Sequence, residues 1–115
     1  MPVAEDQLTT MFTALADPTR RAIVGRLALG DATVTELTDL TELTQQAVSK
    51  HLKVLEQAGL VSRGRVAQSR PCHLEAERLA HVTDWVSEQQ RVWEQRHDKL
   101  ERHLATLKAK QRGKR

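Results

Sequence analysis

In the stretch "TQQAVSKHLKVLEQAGLV", Thr44 to Val61, polar and apolar side chains alternate with the period of a helix. Val48, Leu52 and Leu55 recur at i, i+4 and i+7 and point one way, with Ala47 small enough to let a neighbouring helix approach; Gln45, Gln46, Ser49, Lys50 and Lys53 are left on the other side. An amide can pair bidentately with N6 and N7 of adenine, a lysine can reach O6 and N7 of guanine, and a hydroxyl serves several base edges or a phosphate. These are the contacts with which a helix reads the major groove of a duplex. A plain solvated face would use the same residue types, so the neighbouring sequence has to separate the two readings. With Thr44 as the capping residue and His51 within the helix, the candidate reading set is Thr44, Gln45, Gln46, Ser49, Lys50, His51 and Lys53.

The charge distribution favours the first reading. The net charge of +3 is only mildly basic, but Lys50, Lys53, Arg63, Arg65 and Arg70 lie between Thr44 and Arg70 against Glu56 alone, whereas the first sixteen residues carry Glu5 and Asp6 and no base. Such clustering is the footprint of a polyanion-binding surface. After Gly59, "LVSRGR" alternates apolar and basic residues, "VAQS" makes a tip and "RPCHL" returns, a pattern that predicts a two-stranded ribbon in which Pro71 is tolerated because both strands are edges. Beside a reading helix, this ribbon would lay Arg63, Arg65, Gln68 or Arg70 along phosphates or into the adjoining minor groove. The alternative is an exposed hairpin whose arginines serve solubility.

Other elements must hold these residues in place. Leu8, Met11, Phe12 and Leu15 predict a first helix over about Glu5 to Ala16. In "DPTRRAIVGRLALG", Asp17 is placed to cap a second helix, Pro18 fits its first position, Gly30 fits its stop, and Ile23, Val24 and Leu27 supply a buried stripe. The β-branched start of "DATVTELTDL" suggests a short strand, followed by a two-turn helix capped by Thr35 and carrying Leu37 and Leu40. A tight "TEL" turn then leads to the helix from Gln45 to Ala58. A short helix, a turn and a second helix with a polar N-terminal half constitute a helix-turn-helix. The predicted class is mainly α with a small β-hairpin wing.

Taken together, "ALADPTRRAIVGRLALG", "TVTELTDL", "TQQAVSKHLKVLEQAGLV" and "SRGRVAQSRPCHLE" resemble the ArsR family of winged helix-turn-helix repressors, across roughly Leu15 to Glu75. The resemblance implies a homodimer that binds double-stranded DNA at an inverted repeat and represses transcription, with the first and last helices forming the dimer interface. Many relatives in that family sense metals. Their thiolate sites use cysteines on the first helix of the DNA-binding hairpin, where this chain reads "TELTDL"; a second pattern uses Asp, His and Glu on the last helix of both subunits. Here His81 and Asp84, and His97, Asp98, Glu101 and His103, provide suitable atoms, but no Asp-x-His precedes His97 and Glu101 follows it by four residues rather than three. The closer resemblance, through "RGRVAQSRPCHLE" and "RVWEQRHDKLERHL", is to members with no recognised metal site, so no metal is expected. A metal- or redox-responsive repressor of the same fold, with Cys72 as the redox group, is the alternative.

The C-terminal third points to self-association independently. From about Glu75 to Lys110 no Gly or Pro interrupts, and Leu79, Val86, Trp93, Leu100 and Leu107 recur every seven residues, with Val82, Trp85, Val92 and Leu104 widening the seam. A helix of that extent spans about 50 Å. A small domain cannot cover such a stripe, so pairing with a second copy is expected, with Phe12 and Leu15 of the first helix alongside; a helix folded back on its own domain is the competing arrangement.

With 115 residues, 39% of them hydrophobic, the chain suits a single domain over 1–115, its DNA-binding core at about 15–75 and its dimerisation helix at about 75–110. Two Trp, one Phe and no Tyr leave aliphatics to fill a small core, which makes burial against a second copy useful. One cysteine and no charged-then-apolar N-terminus fit a reducing, cytoplasmic setting, and no run approaches the roughly 18 apolar residues of a membrane span. No Gly-rich phosphate loop, nucleophile with an adjacent base or carboxylate pair is recognisable, so neither an enzyme nor a cofactor is expected. The remaining class is a protein-interaction module built on a winged helix. Operator sequence, regulated genes and any small-molecule effector are not legible.

Overall fold

The computed structural model describes residues 4–64 and 70–113. In chain order the elements are α1 (Glu5–Leu15), α2 (Pro18–Leu27), α3 (Val34–Asp39), α4 (Gln45–Gln57), β1 (Val61–Arg63), β2 (Cys72–Leu74) and α5 (Ala76–Arg112). They fall into two compact units that part between Val82 and Thr83. The first contains α1 to α4, the ribbon and the opening turns of α5.

In α1, Leu8, Met11 and Ala14 turn inward, and Glu5 and Asp6 sit in the first turn, where the helix dipole favours acids. The helix has no basic residue in its last turn. Two arginines of α2 supply that complement instead. Arg20 donates from Nε to the carbonyl of Ala14 (2.6 Å) and from Nη2 to that of Thr13 (3.1 Å), and Arg21 donates from Nη1 to those of Leu15 and Ala16 (2.9 and 3.0 Å). At the start of α2, Pro18 occupies the first turn and the Asp17 carboxylate accepts from the Arg20 amide (3.0 Å). "ALADPTRR" thus stops one helix, starts the next and ties the two ends together.

The sequence reading misplaced the start of α3. Thr33, not Thr35, caps it: its hydroxyl accepts from the Glu36 amide while the Glu36 carboxylate accepts from the Thr33 amide, a reciprocal capping box. Thr35 is therefore helical, and α3 has six residues, with Leu37 buried but Leu40 exposed at its end. The strand expected before α3 reduces to one antiparallel bridge, in which Ala32 and Cys72 exchange both backbone hydrogen bonds (3.2 and 2.7 Å). A two-sided capping box satisfies the backbone at Thr33 and Glu36 locally and leaves no length for a ladder.

Helix α4 ends by a Schellman arrangement: the Gly59 amide bonds the Glu56 carbonyl (2.9 Å) and the Leu60 amide bonds the Leu55 carbonyl (3.0 Å). Gly59 has φ +77°, and a Cβ there would lie 2.9 Å from Cδ of Arg78. The positive φ is what calls for glycine, since the flexible Arg78 side chain can shift aside. It delivers Leu60 and Val61 into the core and starts the ribbon, where Val61, Ser62 and Arg63 pair with Leu74, His73 and Cys72.

The core of the first unit gathers Met11, Ala14, Ile23, Leu27, Leu37, Val48, Leu52, Leu55, Leu60 and Cys72, with Leu15, Leu74, Leu79 and Val82 packed against it. Leu15, Leu79 and Val82, expected on the dimer seam, thus contribute to this core, because the opening turns of α5 belong to the same unit as α1. No side chain of α5 is fully buried; Val86, Val92, Trp93, Leu100, Leu104 and Leu107 are all exposed by about half.

Leu52 is wholly buried at the centre of this arrangement. Leu52→Ala is expected to cost about 2–5 kcal/mol, read as a lower urea midpoint with an unchanged slope. A loss below about 1 kcal/mol would contradict the packing described, since a core that size cannot refill the space unaided.

Candidate nucleic-acid interface

Helix α4 is fixed at both ends and along its inner face. The Thr44 hydroxyl accepts from the Ala47 amide (3.1 Å), and the Thr44 carbonyl accepts from the Val48 amide (3.0 Å). The turn from α3 is tightened by Thr41, whose hydroxyl donates to the Thr38 carbonyl and accepts from the Leu43 amide (both 3.1 Å). Val48, Leu52 and Leu55 have no solvent exposure. Gln45, Gln46, Ser49, Lys50 and Lys53 are all exposed, as is the cap Thr44. The inward stripe therefore leaves the five polar residues on one outward face.

His51 lies elsewhere. Its side chain is only a quarter exposed and turns towards the start of α2, with Nδ1 3.4 Å from Nη1 of Arg20 and 3.8 Å from Oδ2 of Asp17. One residue after Lys50, it has rotated about 100° around the helix, enough to leave the outward face. The Asp17 carboxyl is held below the usual carboxylate range, chiefly by the Arg20 amide, with desolvation opposing it.

Two contributors were not evident in the sequence. The Thr35 hydroxyl accepts from Nε2 of Gln45 (3.1 Å) and so restrains an amide of the outward face. Val34 lines a shallow depression together with Gln45, Gln46, Ser49 and Lys50, placing a branched apolar group beside the polar ones. With Thr33 as cap, Val34 and Thr35 fall inside the helix next to α4, where a cap at Thr35 would leave them outside it.

In the ribbon, Nε of Arg63 donates to the Arg70 carbonyl (3.2 Å), and the Gly64 amide donates to the Pro71 carbonyl (2.8 Å), extending the pairing beyond the strands. Arg70 is exposed and Arg63 half-buried. Arg65 and Gln68 lie outside the described residues. Cys72 is fully buried in the core, and burial, partly offset by Arg63, pushes its thiol above the usual range. Among the described residues, no three His, Cys, Asp or Glu side chains converge as metal ligands, and no helix is long and apolar enough to cross a membrane. His97 stacks on Trp93 within α5, centroids 3.6 Å apart, and its Nδ1 lies 2.9 Å from the Trp93 carbonyl.

This arrangement matches known proteins. A family model described as a helix-turn-helix domain covers residues 15–63. The crystal structure of an ArsR family transcriptional regulator, RHA00566, is similar over 82% of this chain and 97% of its own, with 40% identity and a TM-score of 0.73. The chain belongs to the ArsR family of winged helix-turn-helix regulators. The transcriptional repressor SdpR of Bacillus subtilis is 34% identical over 61 residues, 53% of this chain and 68% of SdpR. The regulator Rv2034 of Mycobacterium tuberculosis is 56% identical over 50 residues, 44% of this chain and 47% of its own, so the chain spans about half of that relative's length. As an ArsR-family protein, the chain carries its helix-turn-helix on α3 and α4 and its wing on β1 and β2.

The wing is anchored at its base by His73, whose Nδ1 is 2.8 Å from Oδ1 of Asp31 in the loop after α2, beside the Ala32–Cys72 bridge. The hydrogen bond to Asp31, and then the charge of Asp31 and Glu75, raise the His73 pKa against weak desolvation. A histidine whose folded pKa exceeds its unfolded one, about 6.5, stabilises fully below that unfolded value, and the contribution is lost as pH rises through the folded pKa. Asp31→Asn should therefore lower the His73 midpoint in an NMR titration and narrow its stability gap from wild type as pH rises. A midpoint unmoved by Asp31→Asn would contradict the anchor.

Proposed function

We propose that the protein is a homodimeric transcriptional repressor that binds an inverted repeat in duplex DNA, acting by binding alone without a catalytic step or a cofactor. The observation that carries this reading is the division of α4: three apolar side chains without exposure on one side, and Gln45, Gln46, Ser49, Lys50 and Lys53 exposed on the other. A helix seated on that stripe presents its outer residues together on one face, which direct readout of base edges requires. Family membership supports the assignment, and SdpR carries the name of a repressor. A regulator of this kind works where the DNA is, in the cytoplasm.

Within the outward face, Gln46, Ser49 and Lys50 are assigned to base edges, with Gln45 and Lys53 flanking them and Thr44 at the cap. Arg63 and Arg70 are assigned to phosphates, together with Arg65 and Gln68 of the wing tip. Self-association is assigned to α5, whose Val86, Trp93, Leu100 and Leu107 recur every seven residues and are all exposed. Phe12, about one-third exposed on α1, is assigned to the same self-association. A second copy is the natural cover, because a twofold pair can place two reading helices in successive major grooves about 34 Å apart.

Selection from a random duplex library supplies the cognate site. On it, alanine at Gln46, Ser49 or Lys50 should each cost about 1–3 kcal/mol, with much smaller losses on unrelated duplex. Equal losses on both would reassign these residues to phosphate. Arg63→Ala or Arg70→Ala should each reduce the slope of log affinity against log salt by roughly one; an altered base preference with an unchanged slope would contradict the wing assignment. Little duplex affinity at any salt would turn the domain into a protein-binding module.

Trp93→Glu places an unpaired charge in the α5 seam and should weaken self-association and cognate-site binding together. Sedimentation velocity at micromolar concentration is the check. A wild-type monomer, or a Trp93→Glu dimer of full affinity, would overturn the assignment of α5.

A further inference from the structure

We infer that His51 is a positioning residue rather than a base reader: with Arg20 it fixes the rotation of α4 against the corner between α1 and α2. This inference rests on the DNA-binding reading above. The two terminal carbonyls of α1, at Thr13 and Ala14, accept from Nη2 and Nε of one guanidinium. The remaining nitrogen, Nη1, faces Nδ1 of His51 at 3.4 Å. A guanidinium has donors and no acceptor, so towards Arg20 Nδ1 can serve only as an acceptor. Asp17, which starts α2 by accepting from the Arg20 amide, lies 3.8 Å from the same Nδ1 and flanks the pair with a carboxylate. The end of α1, the start of α2 and the middle of α4 thus meet at Arg20.

The location gives the contact its consequence. Val48, Leu52 and Leu55 hold α4 in the core by apolar packing, which is non-directional and tolerates a small rotation about the helix axis. A hydrogen bond does not tolerate it as readily, because it weakens steeply off its preferred angle. His51 immediately follows Ser49 and Lys50 in sequence, so a rotation that breaks its bond to Arg20 swings those two side chains off the base edges. Phosphate neutralisation by long, flexible lysines and arginines is far less sensitive to such a shift. The pair therefore governs discrimination between sequences and leaves general duplex affinity nearly untouched.

Three substitutions separate this role from mere packing. In Asn the Oδ1 atom is bonded to Cγ, as Nδ1 is in His, so His51→Asn keeps an acceptor where Arg20 needs it. His51→Gln places its polar atoms one bond further out, at the level of Nε2, and His51→Leu has no acceptor. Binding is measured by anisotropy on the duplex selected by the wild-type protein and on an unrelated duplex of equal length. His51→Asn should stay within about threefold of wild type on the selected duplex, while His51→Leu and His51→Gln fall by about tenfold, the worth of roughly one net hydrogen bond. All three should match wild type on the unrelated duplex. The inference is overturned if His51→Leu keeps full affinity for the selected duplex, or if His51→Asn is as weak there as His51→Gln. The two polar variants decide the matter should His51→Leu fail to fold. A wild-type protein that does not discriminate between the duplexes overturns the DNA-binding reading itself, and the role of His51 with it.

Discussion

Burial of Val48, Leu52 and Leu55 is the interaction on which the remaining structure depends. These side chains bring α4 into contact with α1, α2, α3 and β1 at once. Because side chains on a helix are spaced about 100° apart, that stripe decides, to within a small rotation, which residues of α4 face outward. The outward set and the sideways direction of His51 follow from it. The Schellman turn at Gly59 then converts the end of the same helix into the first strand of the wing, with Leu60 packed where Leu55 leaves off. Helix α4 and the wing are thereby joined through one hydrogen-bonded turn.

The second constraint is the modest size of the core. With few aromatics available, the first unit closes around aliphatic side chains, and its last contributors are Leu79 and Val82 at the opening of α5. The apolar residues beyond them remain exposed. Along one seven-residue repeat, the first member therefore packs into the first unit while the later members stay exposed. Polar anchors distribute in a complementary way. Arg20 and Arg21 complete the end of α1, and the pair of Asp31 and His73 secures the wing base, so the elements around α4 are joined by directional contacts as well as by packing.

Legibility from sequence divided along physical lines. Short-range signals with a strong periodicity or a specific capping residue were readable: the Asp17–Pro18 start of α2, the Thr44 cap, the inward triplet of α4 and the glycine after it each depend on residues within one or two turns. Thr33 and Thr35 are both suitable caps for α3, and only the position of Glu36, three after Thr33, separates them. Nothing local to His51 reveals that an arginine 31 residues earlier lies within reach of its Nδ1. Asp31 and His73 are 42 residues apart and meet only once the ribbon bridges back to Ala32. Leu79 fell into the heptad series because a repeat records spacing and is silent about which neighbour covers each member.

Dimethyl sulfate protection of guanine N7 on a selected duplex tests the central claim most directly, because N7 lies in the major groove. Two reading helices related by a twofold axis predict two protected windows on one face of the DNA, their centres about 10–10.5 base pairs apart or at a multiple of that spacing. A single window, windows on opposite faces, or binding that leaves every N7 reactive would contradict a dimer that reads DNA with α4.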